Sequence, residues 1–352
     1  MDTPLKTLPL IGAAALFSLS TLTAVETDPV GYISKTVNAN ADLKLGVPFK
    51  RPATFSSAVD SVSSGTVTVS STVPDVTTSA HYLLVTSGPL LGSWYQVTGY
   101  SGTTLTVAED LQTAGLVTSN TFEIVPFWTL DSLFPSGGDI PASVDVFAPV
   151  AFVITNDVTT NGINLAPATS YLYHSGEQGP AGWYENGNIG GGLQGDVILS
   201  PESYITIRNG TSSLVSVTMS GTVPTVTLAN DIVQRLTGDQ DNQIPNPFPA
   251  SMTLANSDLV SDGVITPSVD VFAPGDLLLV FFAAPTSVNP AADKTFLYHS
   301  GEQGPAGWYE NGNIGGGLQD TFELPLGGAF IVRKASGADT VLSWSPTIPY
   351  TL

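Results

Sequence analysis

The feature that most limits what this chain can fold into is a string that occurs twice. Leu172 to Gln194 reads LYHSGEQGPAGWYENGNIGGGLQ, and Leu297 to Gln319 repeats it without a change, 125 residues further on. In the same register Ser143-Val144-Asp145-Val146-Phe147-Ala148-Pro149 returns as Ser268-Val269-Asp270-Val271-Phe272-Ala273-Pro274, and Arg208 returns as Arg333. Between these anchors the two copies diverge. Anchors in a shared order at a fixed offset mark two copies of one folding unit with the same chain path. The expected organisation is an N-terminal β region at 25–126, a first repeat module at 127–235, and a linker with a second module at 236–352.

The residues between the anchors read as strands. Gly65 to Ser70, Thr103 to Val107, Thr121 to Val125, Tyr204 to Arg208 and Leu214 to Met219 alternate apolar with polar side chains and are rich in β-branched and aromatic types, the pattern of sheets with one buried face. Ala151 to Ile154 and Leu277 to Phe282 are continuous apolar runs. They are too short for helices and suit central strands. With 35 Gly and 26 Pro to make turns, the expected fold class is all-β: tandem β-sandwich or barrel-like modules rather than a parallel α/β sheet.

Composition narrows the setting. Lys6 and the apolar stretch Leu10 to Phe17, followed by Leu22-Thr23-Ala24, read as a signal peptide over 1–24, which implies export to the periplasm, cell surface or medium. No later run is long enough for a membrane helix, so no membrane span is expected in the mature chain. An outer-membrane barrel would need longer alternating strands in succession. The chain has no cysteine, so core burial and sheet hydrogen bonds must hold it without disulfides. Thirty acidic residues face ten basic ones, with no Lys or Arg between Arg51 and Arg208. That charge repels phosphate backbones and argues against nucleic acid as a partner; cell-envelope polysaccharide or other surface proteins are the partners expected.

The repeated string itself reads as a hairpin: a strand at Tyr171-Leu172-Tyr173-His174, a Gly-rich loop, a return strand beginning at Trp183, and a turn at Asn186-Gly187-Asn188. Successive strand residues point to opposite faces, so Trp183 and Tyr184, or Trp308 and Tyr309, cannot share one core. One ring of each pair is expected to face outward or into a module interface. An outward ring beside Glu185, Asn186 and Asn188, with Glu310, Asn311 and Asn313 in the second copy, would form a surface that stacks on a sugar and binds its hydroxyls. The alternative is a ring that seals a contact between modules.

Other motifs carry less. His174, Ser175 and Glu177 supply the residue types of a hydrolytic triad, but triads are assembled by geometry rather than by adjacency. Asp239, Asp241 and Asn242 cluster oxygen ligands as a calcium loop does, without the closing Gly and distant Glu of an EF-hand; a solvated linker is the simpler reading. No metal site and no cofactor is assigned. Asn209-Gly210-Thr211 fits a glycosylation acceptor. Tyr82-Leu83 with Trp94-Tyr95 echoes the hairpin and suggests a third, fainter copy, and Val47-Pro48-Phe49 echoes Asn246-Pro247-Phe248.

Thr27-Asp28-Pro29-Val30-Gly31-Tyr32, Phe127-Trp128-Thr129-Leu130 with Leu133-Phe134-Pro135, and the Trp-Tyr hairpin followed by Phe330-Ile331-Val332-Arg333-Lys334 resemble an uncharacterised family of secreted β-rich proteins from verrucomicrobial-type bacteria. The resemblance spans most of the mature chain and implies export and β architecture; it brings no catalytic residues. The expected function is a non-enzymatic structural or adhesive role in the cell envelope or extracellular space. A carbohydrate-binding pair of Trp-Tyr hairpins is the alternative, and a secreted hydrolase the second alternative.

Overall fold

The computed structural model describes residues 28–282 and 285–351; the segment 1–24, read as a signal peptide, lies outside them. The regular structure of the described residues is almost wholly antiparallel strand, as the alternating patterns require. Among these residues, no helix is long and apolar enough to cross a membrane.

Two five-stranded sheets have the same internal order. In the first, Gly182–Glu185, Pro167–His174, Ala151–Asn156, Ile205–Asn209 and Ala41–Leu45 lie side by side; in the second, Gly307–Glu310, Lys294–His299, Leu277–Phe281, Ala329–Lys334 and Gln240–Pro245 do so. Each apolar run read as central, Ala151–Asn156 and Leu277–Phe281, is the third of five strands. A two-stranded ribbon packs on each sheet, pairing Val30–Val37 with Val215–Thr222 in one module and Asn230–Gln234 with Thr340–Trp344 in the other. The first core joins Ile33, Val37, Val217 and Met219 of the ribbon to Val153, Ile205, Ile207 and Trp183 of the sheet. Its counterpart joins Ile232 and Trp344 to Leu278, Val280, Phe330 and Trp308. Each module is therefore a small sandwich closed by burying alternate residues of both layers.

Chain order and sheet membership part company at the N-terminus. Val30–Val37 and Ala41–Leu45 precede the third sheet in sequence yet pair with strands after residue 200. A separate seven-stranded sheet, ordered Phe55–Ala58, Thr121–Pro126, His81–Val85, Trp94–Ser101, Thr104–Val107, Thr66–Thr68 and Ser61–Ser63, is interposed within the first module. Arg208 and Arg333 are 125 positions apart, whereas their aspartate partners Asp42 and Asp241 are 199 apart. The excess accommodates the interposed sheet. The similarity of Val47-Pro48-Phe49 to Asn246-Pro247-Phe248 marks the point of entry: after Phe248 the second module passes directly to Met252–Thr253, and the first reaches Trp128–Thr129 only after the extra sheet. The Tyr82…Trp94 echo extends no further than a hairpin, because His81–Val85 sits between Thr121–Pro126 and Trp94–Ser101 in a different strand order.

The modules cap each other reciprocally. Ala41–Leu45 and Gln240–Pro245 are edge strands, and an open edge invites pairing with other chains. Asp42 N–H donates to Ser287 O (3.1 Å), and Asn289 N–H to Asp42 Oδ2 (2.8 Å). In the opposite direction Asp241 N–H donates to Gly162 O (2.8 Å), and Asn164 N–H to Asp241 Oδ2 (2.8 Å). Asn164 and Asn289 both hold positive φ, 53° and 47°, a region asparagine tolerates better than most residues. The bidentate pairs Arg208–Asp42 and Arg333–Asp241 complete each side. Such mutual contacts between like surfaces have the form of an isologous dimer interface, here within one chain.

Several sequence readings change with these pairings. Asp241 and Asn242 lie on the edge strand Gln240–Pro245, so their segment is neither a linker nor a calcium loop: Asp241 is engaged by Arg333, and Asn242 bonds Val233 and Val332 carbonyls. The second module starts at Asn230, since Asn230–Gln234 pairs within it. Asn209 is fully buried and donates to Asn38 and Ser213 carbonyls, which leaves no amide for glycosylation.

Candidate functional site: the paired outer loops

The duplicated hairpin forms as its turn residues predict, with Tyr173 opposite Trp183 and Leu172 opposite Tyr184. Neighbouring rings do point to opposite faces, but neither is exposed. Trp183 enters the sandwich core against Phe134 and Tyr173; Tyr184 enters a small cluster with Val146 and Leu172 on the other face. Trp308 and Tyr309 divide likewise, Tyr309 joining Val271 and Leu297. The expectation of an outward ring fails because the chain folds a loop back over the outer face, anchored by the parallel bridges Ser143 to His174 and Ser268 to His299. Glu185, Asn186 and Asn188 stay together at the following turn, where Asn188 Nδ2 donates to Glu185 Oε2 (2.8 Å), and Asn311 and Asn313 are exposed beside Glu310. The amides are available without a ring to stack beside.

What the repeated string builds is a pair of stitched loops. His174 is buried beneath them. Gly176 N–H donates to its Nδ1 (3.2 Å) and its Nε2 meets Val144 O (3.3 Å); at His299, Nδ1 meets Ser268 O (2.9 Å) and Gln303 N–H donates to Nε2 (3.0 Å). Tyr184 packs edge-on to His174 and donates to Pro180 O (2.9 Å), as Tyr309 does to Pro305 O (3.0 Å). Ser175 Oγ bonds Ser143 O and the Glu177 carboxylate; Ser300 does the same with Ser268 and Glu302. Those hydroxyls hold both carboxyls below the usual carboxylate range. Serine thus pairs with glutamate and histidine with backbone, an arrangement that ties loops and does not align a nucleophile with a base.

The loop so anchored carries the residue that sequence reasoning passed over. Asp145 accepts from Phe147 N–H (2.9 Å), and Asp270 from Phe272 N–H (2.9 Å), forming the same Asx turn. Gln178 and Gln303 side chains reach across to Val146 N–H and Val271 N–H. The turn lifts Phe147 and Phe272 into solvent at 85% and 84% exposure, with Val144 and Val269 exposed beside them. The signal was present in the repeated SVDVFAP: a phenylalanine between an Asx-turn aspartate and a proline, outside any alternating strand pattern.

No family model, curated protein or solved structure matches the chain, so its function is argued from the site itself.

Proposed function

We propose that the chain is an exported, non-enzymatic structural or adhesive protein of the cell envelope or extracellular space, which holds its partner through two identical Phe-tipped loops. The observation that carries this is the near-equal exposure of Phe147 and Phe272 on loops fixed over a buried histidine by the same serine and tyrosine contacts. A lone exposed apolar residue needs no explanation. Two on matched rigid turns supply the same contact twice, and burying a phenylalanine against a partner is worth about 1.5–3 kcal/mol. A second engaged loop adds avidity without a new kind of contact. The signal-like start and the resemblance to secreted β-rich proteins support export, and the net charge of −20 keeps free copies apart.

The test replaces both rings, Phe147→Ser with Phe272→Ser, in the native host. The melting temperature should be unchanged, and the protein should shift from the cell-bound fraction to the medium. A double variant that stays bound like wild type contradicts the proposal.

A further inference from the structure

The two modules differ at one place where their repeated hairpins look alike, and we infer from it that the second module holds a subsite for a neutral sugar ring, a site apart from the Phe-tipped loops. Tyr298 and Trp308 meet edge to face, centroids 5.6 Å apart, as Tyr173 and Trp183 do at 5.5 Å. Beside Tyr298 lies an open cavity of about 350 Å³, bordered by Trp308, Asp258, Ser261, Ala306 and Asp320, at the small end of the range for ligand pockets. In the first module the corresponding ring has Gly137 close against it, where a Cβ would lie 2.7 Å from the Tyr173 ring, and Phe134 packs on the neighbouring Trp183.

A linked pair of differences supplies the polar groups. Asp320 stands where the first module has Gly195, and the first module fills that space with Asp131, whose Oδ2 would be 1.9 Å from a Cβ at Gly195. In the second module Asp320 Oδ1 accepts from Trp308 N–H (2.9 Å), Asp258 Oδ2 from Thr347 N–H (2.8 Å), and Asp258 Oδ1 from Ser261 Oγ (3.2 Å). Both carboxylates are thus fixed in place and retain lone pairs for further donors. Among the described residues no cation lines the cavity. Acceptors that bind hydroxyl donors, a half-buried tyrosine ring to lie against the C–H face of a sugar, and the absence of a positive charge select a neutral polyhydroxyl ligand over an anionic one.

Affinity electrophoresis of the full chain tests this in gels cast with hydroxyethyl cellulose, xylan, dextran or mannan, with polygalacturonate as the anionic comparison. At least one neutral polymer should retard the wild type, and polygalacturonate should not. Tyr298→Ala and Asp320→Asn should each weaken retardation at least fivefold; Tyr173→Ala, at the covered site, should leave it unchanged. Asp320→Asn can still accept the Trp308 N–H, so it separates binding from folding. The Phe147→Ser/Phe272→Ser variant should be retarded as wild type is, which keeps this test distinct from the adhesion test. No retardation by any neutral polymer, or equal losses from Tyr173→Ala and Tyr298→Ala, would overturn the inference.

Discussion

The two modules solve one packing problem with different chemistry, and the contrast shows which parts of the repeat are constrained. Position 209 is asparagine in the first module and its counterpart 334 is lysine in the second; position 151 is alanine and its counterpart 276 is aspartate. Asn209 closes its corner with amide bonds to Asn38 and Ser213 carbonyls. Lys334, also fully buried, closes the matching corner by pairing with Asp276 and donating to Val264 O (2.7 Å), while Asp276 accepts from Thr266 and Ala335 N–H. One corner is held by neutral hydrogen bonds and the other by a desolvated ion pair. Around both, the outer loops and their Phe tips stay the same. The corners can thus be rebuilt pair by pair, while the Phe-tipped loops and the buried hairpin residues that anchor them do not differ between the copies.

That contrast can be broken most forcefully at the ion pair. Lys334→Met leaves a buried carboxylate without its cation and should destabilise the chain by about 3–5 kcal/mol, read from urea midpoints. Asn209→Leu in the first module strands only neutral carbonyls and should cost about 1–3 kcal/mol. Equal losses would mean that the two corners are not held differently.

A smaller effect probes the junction of all three sheets. Glu202 lies where the first module meets Asp231 of the second and Trp94 of the interposed sheet; burial pushes its carboxyl up to about 8, and the Asp231 carboxylate adds to this. A carboxyl raised in the folded state supports stability fully below its unfolded value near 4.3 and loses that support as pH rises through about 8. Glu202→Gln should therefore match wild type at pH 4 and exceed it at pH 9 by roughly 2 kcal/mol. Parallel pH profiles for the two proteins would show that the carboxyl is not buried at the junction.

Much of the fold could be read from the sequence. Alternation in segments such as Leu214 to Met219 gave strands, and the continuous runs at Ala151 and Leu277 gave central ones, because burial follows the period of two. Sheet membership of Val30–Val37 and Ala41–Leu45 could not be read, since pairing with residues beyond 200 leaves no local trace. Asp42 and Asp241 gave no warning either: their partners Arg208 and Arg333 lie 166 and 92 positions away. At the site, opposite faces for Trp183 and Tyr184 were foreseeable from strand geometry. The burial of Tyr184 was not, because the covering loop at Ser143 reaches it only through tertiary contact at His174.

The reciprocal cap between the modules is the point on which this architecture turns, and amide hydrogen exchange tests it most directly. The N–H groups of Asp42 and Asp241 sit on edge strands, where exchange is ordinarily fast, yet each donates to a loop of the other module. Both should be protected at least 100-fold, and Asn289→Pro, which removes the N–H that Asp42 Oδ2 accepts and cannot hold the positive φ of that turn, should release Asp42 while Asp241 stays protected. Rapid exchange at both amides in the wild type would contradict the account.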